Sequence, residues 1–246
     1  MKDSQTQSPA ILVVDDEVDN CMNLADIFST FGYHIDMAFD GPSALEQARK
    51  RHYDVVLLDL RMPGMDGLAV YRELKKLQPE VVAIIVSAYA SPEVAEAAKE
   101  AGAWEILHKP VQLDALLSLV EEAVGQPVVL VVDDDRDLCA NLWDLFRSRG
   151  YRVSLAHSEP QAREFLESRD FQVVLIDLKL EEGHGGNVFR AVRERDPVPR
   201  TLIITGHRTE SEDVIQSALR EGADAVCYKP FNVPELLGVL QKLTER

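Results

Sequence analysis

Short apolar runs alternate along the chain with longer stretches in which apolar residues recur at helical spacing. In the first half, these runs cover about 11–14, 34–38, 54–58, 81–86 and 104–107. Runs of this length that are rich in β-branched residues are typical of buried parallel strands. Between the first two runs, Cys21, Leu24 and Phe28 fall on one face of a helix. The alternation predicts an α/β fold with helices on both faces of a parallel sheet.

The chain repeats this pattern once. Residues 12–16, with the sequence LVVDD, return as residues 130–134, and the same offset of 118 relates Asp59 to Asp177. Lys109-Pro110 matches Lys229-Pro230 at an offset of 120. A repeat of about 120 residues is the size of one doubly wound domain. The 246 residues therefore predict two copies of one domain, each a (βα)5 unit with a five-stranded parallel sheet.

Glycine and proline mark the boundary between the copies. The last helix of the first copy is expected to end near Val124, and Val128 begins the next apolar run, which leaves GQP as the connection. The predicted organisation is a disordered tail over 1–9, a first domain over 10–124, a linker over 125–127 and a second domain over 128–246.

The charge of the chain disfavours some classes of partner. With 26 Lys and Arg against 42 Asp and Glu, the formal net charge is −16. Because nucleic acid and anionic membranes attract basic proteins, direct binding to either is not expected. The first ten residues, MKDSQTQSPA, lack the apolar core of a signal peptide, so a cytoplasmic location is predicted. Three cysteines without CxxC spacing predict neither a disulfide framework nor a zinc site.

Aspartates stand at the carboxyl ends of the first and third predicted strands of each copy. They are Asp15, Asp16 and Asp59, and their counterparts Asp133, Asp134 and Asp177. Parallel strands end at one edge of the sheet, where ligands bind, so each set should converge. Carboxylates this close repel one another unless a cation neutralises them or one is protonated. Oxygen ligands select a hard cation such as Mg²⁺, and a metal site is therefore predicted in each copy.

A hydroxyl and a lysine follow the fourth and fifth predicted strands at the same edge. They are Ser87 and Lys109 in the first copy, and Thr205 and Lys229 in the second. A carboxylate can attack phosphorus to form an acyl phosphate. A metal and a lysine spread the charge of the transferred group, and a hydroxyl bonds one of its oxygens. The set is therefore suited to phosphoryl transfer onto an aspartate.

This order of residues resembles the receiver domain of two-component response regulators. The shared features are an acidic pair after the first strand, an aspartate followed by Met-Pro-Gly after the third, Ser or Thr after the fourth and Lys-Pro after the fifth. The resemblance covers about 10–124 and again 128–245. It implies a flavodoxin-like fold and a tandem-receiver response regulator without an effector domain, which takes phosphoryl groups from a phosphohistidine and switches protein contacts.

The resemblance also implies a role for each site residue. Asp59 and Asp177 match the phosphoacceptors, Ser87 and Thr205 the switch hydroxyls, and Lys109 and Lys229 the lysines that contact phosphate. One Mg²⁺ per domain is implied, for which Mn²⁺ or Ca²⁺ could substitute. The implied ligands are Asp15, Asp16, Asp59 and the backbone carbonyl of Arg61, and in the second domain Asp133, Asp134, Asp177 and the backbone carbonyl of Lys179.

The partners implied by the resemblance are proteins. A sensor histidine kinase or a histidine phosphotransfer protein would be the donor. A downstream target would bind the fourth helix, fifth strand and fifth helix, about 91–124 and 209–244. A homodimer is left open. The chain is not expected to be an enzyme beyond the phosphorylation and dephosphorylation of its own aspartates.

Two departures from the family pattern stand out. Ile106 and Val226 occupy the place three residues before each lysine, where the family often has a switch aromatic. Signalling by a rotamer change of that aromatic is therefore not expected in either domain. Glu181 replaces Pro63 after the second acceptor, and that loop is expected to differ in geometry.

Other functions stay open. The chain could be a protein-binding scaffold that is independent of phosphorylation, or a fragment of a larger regulator or hybrid kinase. A phosphatase of the haloacid dehalogenase type, which also uses an aspartyl nucleophile, is disfavoured. Such enzymes need an aspartate two residues after the nucleophile, and Arg61 and Lys179 stand there.

Overall fold

The computed structural model of the chain describes residues 8–88, 91–206 and 212–245. The chain divides into two compact units, Met1–Gly125 and Gln126–Arg246. Most of the tail predicted over 1–9, namely residues 1–7, lies outside the described residues.

The first unit alternates strands and helices as predicted. Its strands are β1 (Ala10–Val14), β2 (His34–Ala38), β3 (Val55–Leu58), β4 (Val82–Ser87) and β5 (Glu105–His108). Its helices are α1 (Val18–Thr30), α2 (Gly41–Lys50), α3 (Gly67–Leu77), α4 (Pro92–Glu100) and α5 (Leu113–Gly125). All strand pairs are parallel, in the order β2-β1-β3-β4-β5.

The second unit has the same element order and the same topology. Its strands are β6 (Val128–Val132), β7 (Arg152–Ala156), β8 (Val173–Asp177), β9 (Arg200–Thr205) and β10 (Ala225–Tyr228). Its helices are α6 (Arg136–Arg147), α7 (Glu159–Ser168), α8 (Gly185–Arg193), α9 (Glu212–Arg220) and α10 (Val233–Thr244). The sheet order β10-β9-β8-β6-β7 is that of the first sheet read from the other edge. The prediction of two doubly wound (βα)5 domains is confirmed.

Successive residues of the central strands enter opposite layers of the core. Leu12 and Val14 of β1 pack in one cluster with residues of α2 and α3, whereas Ile11 and Val13 pack in another with residues of α1 and α5. Because side chains alternate across a strand, an apolar residue at every position is needed when helices cover both faces. This explains why β1 and β3 are buried along their whole length.

The strand order creates a crevice at the carboxyl ends of β1 and β3. From β1 the chain crosses to β2 on one side of the sheet, and from β3 it continues to β4 on the other side. Connections that leave in opposite directions leave a gap between the two strand ends, where ligands bind in open α/β sheets. Val14 and Leu58 are paired in register, so the residues that follow them, Asp15 and Asp59, begin this crevice side by side.

No helix in the described part of the chain is long and apolar enough to span a lipid bilayer.

Candidate functional site

The first domain brings Asp15 and Asp59 together at the carboxyl edge of the sheet. The backbone N–H of Asp59 donates to the carbonyl of Val14, 2.9 Å away, which continues the sheet ladder by one residue. Both carboxylates are buried, with exposed fractions of 5% for Asp15 and 8% for Asp59. A buried charge is tolerated only where it is paired and hydrogen-bonded, so the neighbours of these two groups decide what the site can do.

Lys109 is the cation between these carboxylates. Its Nζ lies 2.5 Å from Oδ2 of Asp59 and 2.6 Å from Oδ2 of Asp15. Burial alone would lower the pKa of Lys109, but the hydrogen bonds to Asp15 and Asp59 outweigh it and raise the pKa above its ordinary value. The backbone N–H of Lys109 donates to the carbonyl of Ser87 at 3.0 Å, which fixes the lysine loop to the end of β4.

The second domain repeats this arrangement. Nζ of Lys229 lies 2.5 Å from Oδ2 of Asp177 and 2.6 Å from Oδ2 of Asp133. The pKa of Lys229 is raised, because the bonds to Asp133 and Asp177 again outweigh burial. Its backbone N–H donates to the carbonyl of Thr205 at 2.8 Å. Lys229 lies 96 positions from Asp133 and 52 positions from Asp177 in the sequence. The fold brings the three residues into contact in the same way as in the first domain.

The second oxygen of each proposed acceptor is held by backbone. The N–H of Arg61 donates to Oδ1 of Asp59, and the N–H of Lys179 donates to Oδ1 of Asp177, both at 2.9 Å. With one oxygen on a lysine and the other on a peptide N–H, each carboxylate has a fixed orientation.

The predicted hydroxyls end the fourth strand of each sheet. Ser87 is the last residue of β4 and is fully buried, and Thr205 is the last residue of β9 and is 2% exposed. Their carbonyls accept the lysine N–H bonds, so hydroxyl and lysine belong to one connected stretch of the sheet edge in both domains.

The acidic residues fit a hard cation, and they do so differently in the two domains. Asp133, Asp134 and Asp177 offer carboxylate oxygens that all lie within 4.8 Å of one another, and they are the one such acidic group among the described residues. Burial raises the pKa of Asp133, and the hydrogen bond from Lys229 offsets only part of this effect. In the first domain Asp16 is exposed and does not join Asp15 and Asp59 in a group of this closeness. The convergence expected of all three aspartates is therefore seen fully only in the second domain.

Two glycines at the site were not singled out from the sequence. A Cβ on Gly67 would lie 2.1 Å from the carbonyl oxygen of Asp59, and a Cβ on Gly185 would lie 1.9 Å from that of Asp177. Each glycine begins the helix after an acceptor loop, and its N–H bonds back to the residue that follows the acceptor. Only a residue without a side chain lets the helix approach the acceptor backbone this closely. The shared offset of 118 from Gly67 to Gly185 was the available signal.

The acceptor loops differ in geometry, as the replacement of Pro63 by Glu181 predicts. A glycine with positive φ stands at Gly64 in the first loop and at Gly183 in the second, which is one residue later after the offset of 118. In the second domain Glu159 holds the loop by two hydrogen bonds. Its Oε2 accepts from the N–H of His184 at 2.9 Å and from Nδ2 of Asn187 at 2.8 Å. His184 in turn caps α8 by accepting from the N–H of Gly186. This histidine thus holds the loop and the helix start.

Comparison with known proteins agrees with the geometry. The family model for the response regulator receiver domain matches residues 11–121 and again 129–241. A response regulator receiver protein of Anaeromyxobacter sp. strain Fw109-5 is 32% identical over 232 residues, which cover 94% of each chain. Sporulation initiation phosphotransferase F of Bacillus subtilis strain 168 is 33% identical over 112 residues, 46% of this chain and 90% of that one.

Some relatives are much longer than the part they share. The transcriptional regulatory protein ZraR of Escherichia coli O157:H7 is 40% identical over 120 residues, which are 49% of this chain but 27% of ZraR.

Among solved structures, a CheY-like response regulator receiver domain protein from Methanospirillum hungatei JF-1 is 28% identical, with a TM-score of 0.47 over 48% of this chain and 94% of that one.

Proposed function

Because the chain belongs to the response regulator receiver domain family, we propose that Asp59 and Asp177 accept phosphoryl groups from a phosphohistidine and thereby switch the contacts of two tandem receiver domains. We assign the receivers to 10–124 and 128–246, joined by 125–127. Receiver domains are phosphoacceptor signalling modules that interact with histidine kinases or phosphotransfer proteins, and they generally bind Mg²⁺.

The chemical step is a displacement at phosphorus. A carboxylate oxygen of Asp59 forms a new bond to phosphorus, and the bond from phosphorus to the imidazole nitrogen of the donor breaks, with its electron pair returning to that nitrogen. The product is an acyl phosphate on the chain and a free histidine on the donor. Hydrolysis of the acyl phosphate by water returns the carboxylate and releases inorganic phosphate, so the aspartate is restored.

Each neighbour of the acceptor has a role in this step. Lys109, 2.5 Å from Asp59, is placed to follow the negative charge as it moves from the carboxylate to the transferred oxygens. The hydroxyl of Ser87 would bond one of those oxygens after transfer and so report the modified state. Mg²⁺, held by the aspartates and by the carbonyl of Arg61, would supply further charge neutralisation. Thr205 and Lys229 would act in the same way on Asp177, with the carbonyl of Lys179 as the corresponding ligand.

The partners follow from this chemistry. The donor is a sensor histidine kinase or a histidine phosphotransfer protein. The readout is a downstream protein bound by α4, β5 and α5, or by α9, β10 and α10. We place the protein in the cytoplasm, where such donors deliver their phosphoryl groups. The net charge of −16 is unfavourable for direct binding to nucleic acid.

One observation carries the proposal. In both domains a single lysine Nζ bridges the acceptor and the aspartate after the first strand, at 2.5 Å and 2.6 Å. A structural ion pair needs one carboxylate per lysine. Two buried carboxylates on one ammonium leave a net negative pocket, which is costly for stability and is suited to a divalent cation and a phosphoryl group.

Intact-mass measurement after incubation with Mg²⁺ and acetyl phosphate tests the proposal. We expect two added phosphoryl groups, of which Asp59→Asn removes one and Asp177→Asn the other, while Asp26→Asn, an exposed aspartate of α1, keeps both. Chelation of Mg²⁺ should abolish both additions. A single addition that is lost in Asp59→Asn would restrict the proposal to the first domain. No addition to the unmodified chain would overturn it and would favour a scaffold that works without phosphorylation.

A further inference from the structure

The first helices of the two domains begin differently. In α6 the residue before the helix, Asp135, caps it by accepting a hydrogen bond from the backbone N–H of Leu138 at 3.0 Å. The corresponding residue of α1 is Glu17, and its side chain makes no capping bond. Aspartate is among the preferred capping residues and glutamate is not. The first domain therefore lacks a stabilising capping bond at the start of α1, which borders its acidic pocket.

The side chain of Glu17 is held by Asn20 instead. Nδ2 of Asn20 donates to Oε2 of Glu17 at 2.8 Å and to Oδ2 of Asp15 at 3.3 Å. Oδ2 of Asp15 is the same oxygen that binds Nζ of Lys109. The backbone N–H of Glu17 donates to Oδ1 of Asp15 at 2.9 Å. One neutral amide thus bridges two carboxylates, and residues 17 and 20 together fix both oxygens of Asp15.

The second domain cannot form this bridge. The counterpart of Asn20 is Leu138, which has no donor in its side chain. Oδ1 of Asp133 accepts a hydrogen bond from the N–H of Asp135 at 3.1 Å. Asp134 closes the acidic group of the second domain, whereas Asp16 is exposed in the first. The two domains thus place a further carboxylate at the pocket by different means.

We propose that Asn20 is a positioning residue of the cation site in the first domain: it fixes Asp15 and holds the Glu17 carboxylate at the rim of the pocket, where it adds negative charge for Mg²⁺. This inference rests on the proposed function, because it takes the acidic pocket to be the site of the cation. Asn20 itself is not a ligand.

The expected effect on affinity follows from orientation and charge. Two carboxylates that approach each other repel, and glutamate loses more side-chain freedom than aspartate when it is ordered. A donor that is shared by both carboxylates reduces their repulsion and orders the Glu17 side chain before the cation binds. Because Asn20 is neutral, it leaves the net negative charge of the pocket unchanged, whereas a lysine would reduce it. Residues that orient metal ligands in this way typically change metal affinity by about 10- to 100-fold when they are replaced.

The test is a Mg²⁺ titration of the full chain followed by amide NMR signals. The N–H groups of Glu17 and Asp135, each bonded to the first aspartate of its domain, report the two sites separately in one sample. We expect Asn20→Leu, which introduces the residue of the second domain, to raise the Mg²⁺ dissociation constant at Glu17 by about tenfold and to leave that at Asp135 unchanged. Asn23→Leu makes the same change at an exposed position of α1 and should alter neither constant.

A second variant separates positioning from a general effect on the helix. Glu17→Gln should also weaken binding at the first site, and Asn20→Leu should cost less in the Glu17→Gln background than in the wild type, since the two residues act through one contact. An unchanged dissociation constant in Asn20→Leu, or strictly additive losses, would overturn the inference and leave the proposed function intact. A wild-type chain whose Glu17 and Asp135 signals do not respond to Mg²⁺ would overturn both.

Discussion

Replacement of Lys109 by methionine should destabilise the first domain, because it leaves two buried carboxylates without a cation. Lys109 Nζ lies 2.5 Å from Asp59 and 2.6 Å from Asp15. Loss of one partner from a fully buried ion pair costs about 3–5 kcal/mol. The Lys109 side chain is 24% exposed, so water reaches the carboxylates once the lysine is gone. We therefore expect the free energy of unfolding to fall by about 2–3 kcal/mol at pH 7.

Urea unfolding followed by tryptophan fluorescence measures this fall in the free energy of unfolding for the first domain alone. The chain has two tryptophans, Trp104 in the first domain and Trp143 in the second. In a Trp143→Phe background, Trp104 alone reports the unfolding of the first domain. Lys76→Met is the matched control, because Lys76 forms an exposed pair with Glu73 at 2.6 Å, with the lysine side chain 70% exposed, and such pairs contribute about 0–1 kcal/mol.

Mg²⁺ gives a second test with the same urea assay. With the lysine gone, a divalent cation no longer competes for the two Oδ2 oxygens, so Mg²⁺ should stabilise Lys109→Met more than the wild type. The reasoning is refuted by a loss no larger than that of Lys76→Met, or by equal stabilisation of variant and wild type by Mg²⁺.

Three further changes test other contacts. Gly67→Ala should lower the stability of the first domain by about 2–4 kcal/mol, since its Cβ would meet the acceptor carbonyl at 2.1 Å. The control is Gly125→Ala, where an added Cβ would meet no atom within 4 Å. It should be neutral or slightly stabilising in the same urea assay. Glu159→Gln should cost the second domain about 1 kcal/mol at pH 7. The bonds from Asn187 and His184 lower the pKa of Glu159 below its ordinary value of 4.5. The stability that Glu159 contributes is therefore present above that pH and is lost as the pH falls through the folded pKa. A stability difference between Glu159→Gln and the wild type that persists in acid would contradict this. Burial raises the pKa of Cys21 to about 11 and that of Cys139 to about 12, and iodoacetamide at pH 8 should label these thiols only after unfolding, as mass spectrometry would show.

The sequence alone determined the two-domain fold and which polar side chains stand at the carboxyl edge of each sheet. Every predicted strand of the first domain agrees with the observed strand to within one residue at each end. This agreement has a local cause, since a run of four to six apolar residues with helices on either side has only one way to bury both faces. The order of polar residues after the strands then predicted which side chains share the sheet edge, because parallel strands all end there.

Tertiary structure alone decided how those side chains meet. The bridge from Lys109 to Asp15 joins residues 94 positions apart, and its length depends on how the β5–α5 connection packs on the end of β4. The exposure of Asp16, the bridge by Asn20 and the grip of Glu159 on the second acceptor loop depend on a few ångströms of loop path and on the rotamer of one side chain. Periodicity and residue type specify which elements form and which edge they share. They do not specify these distances, because side-chain contacts across a fold are set by the packing of many residues at once.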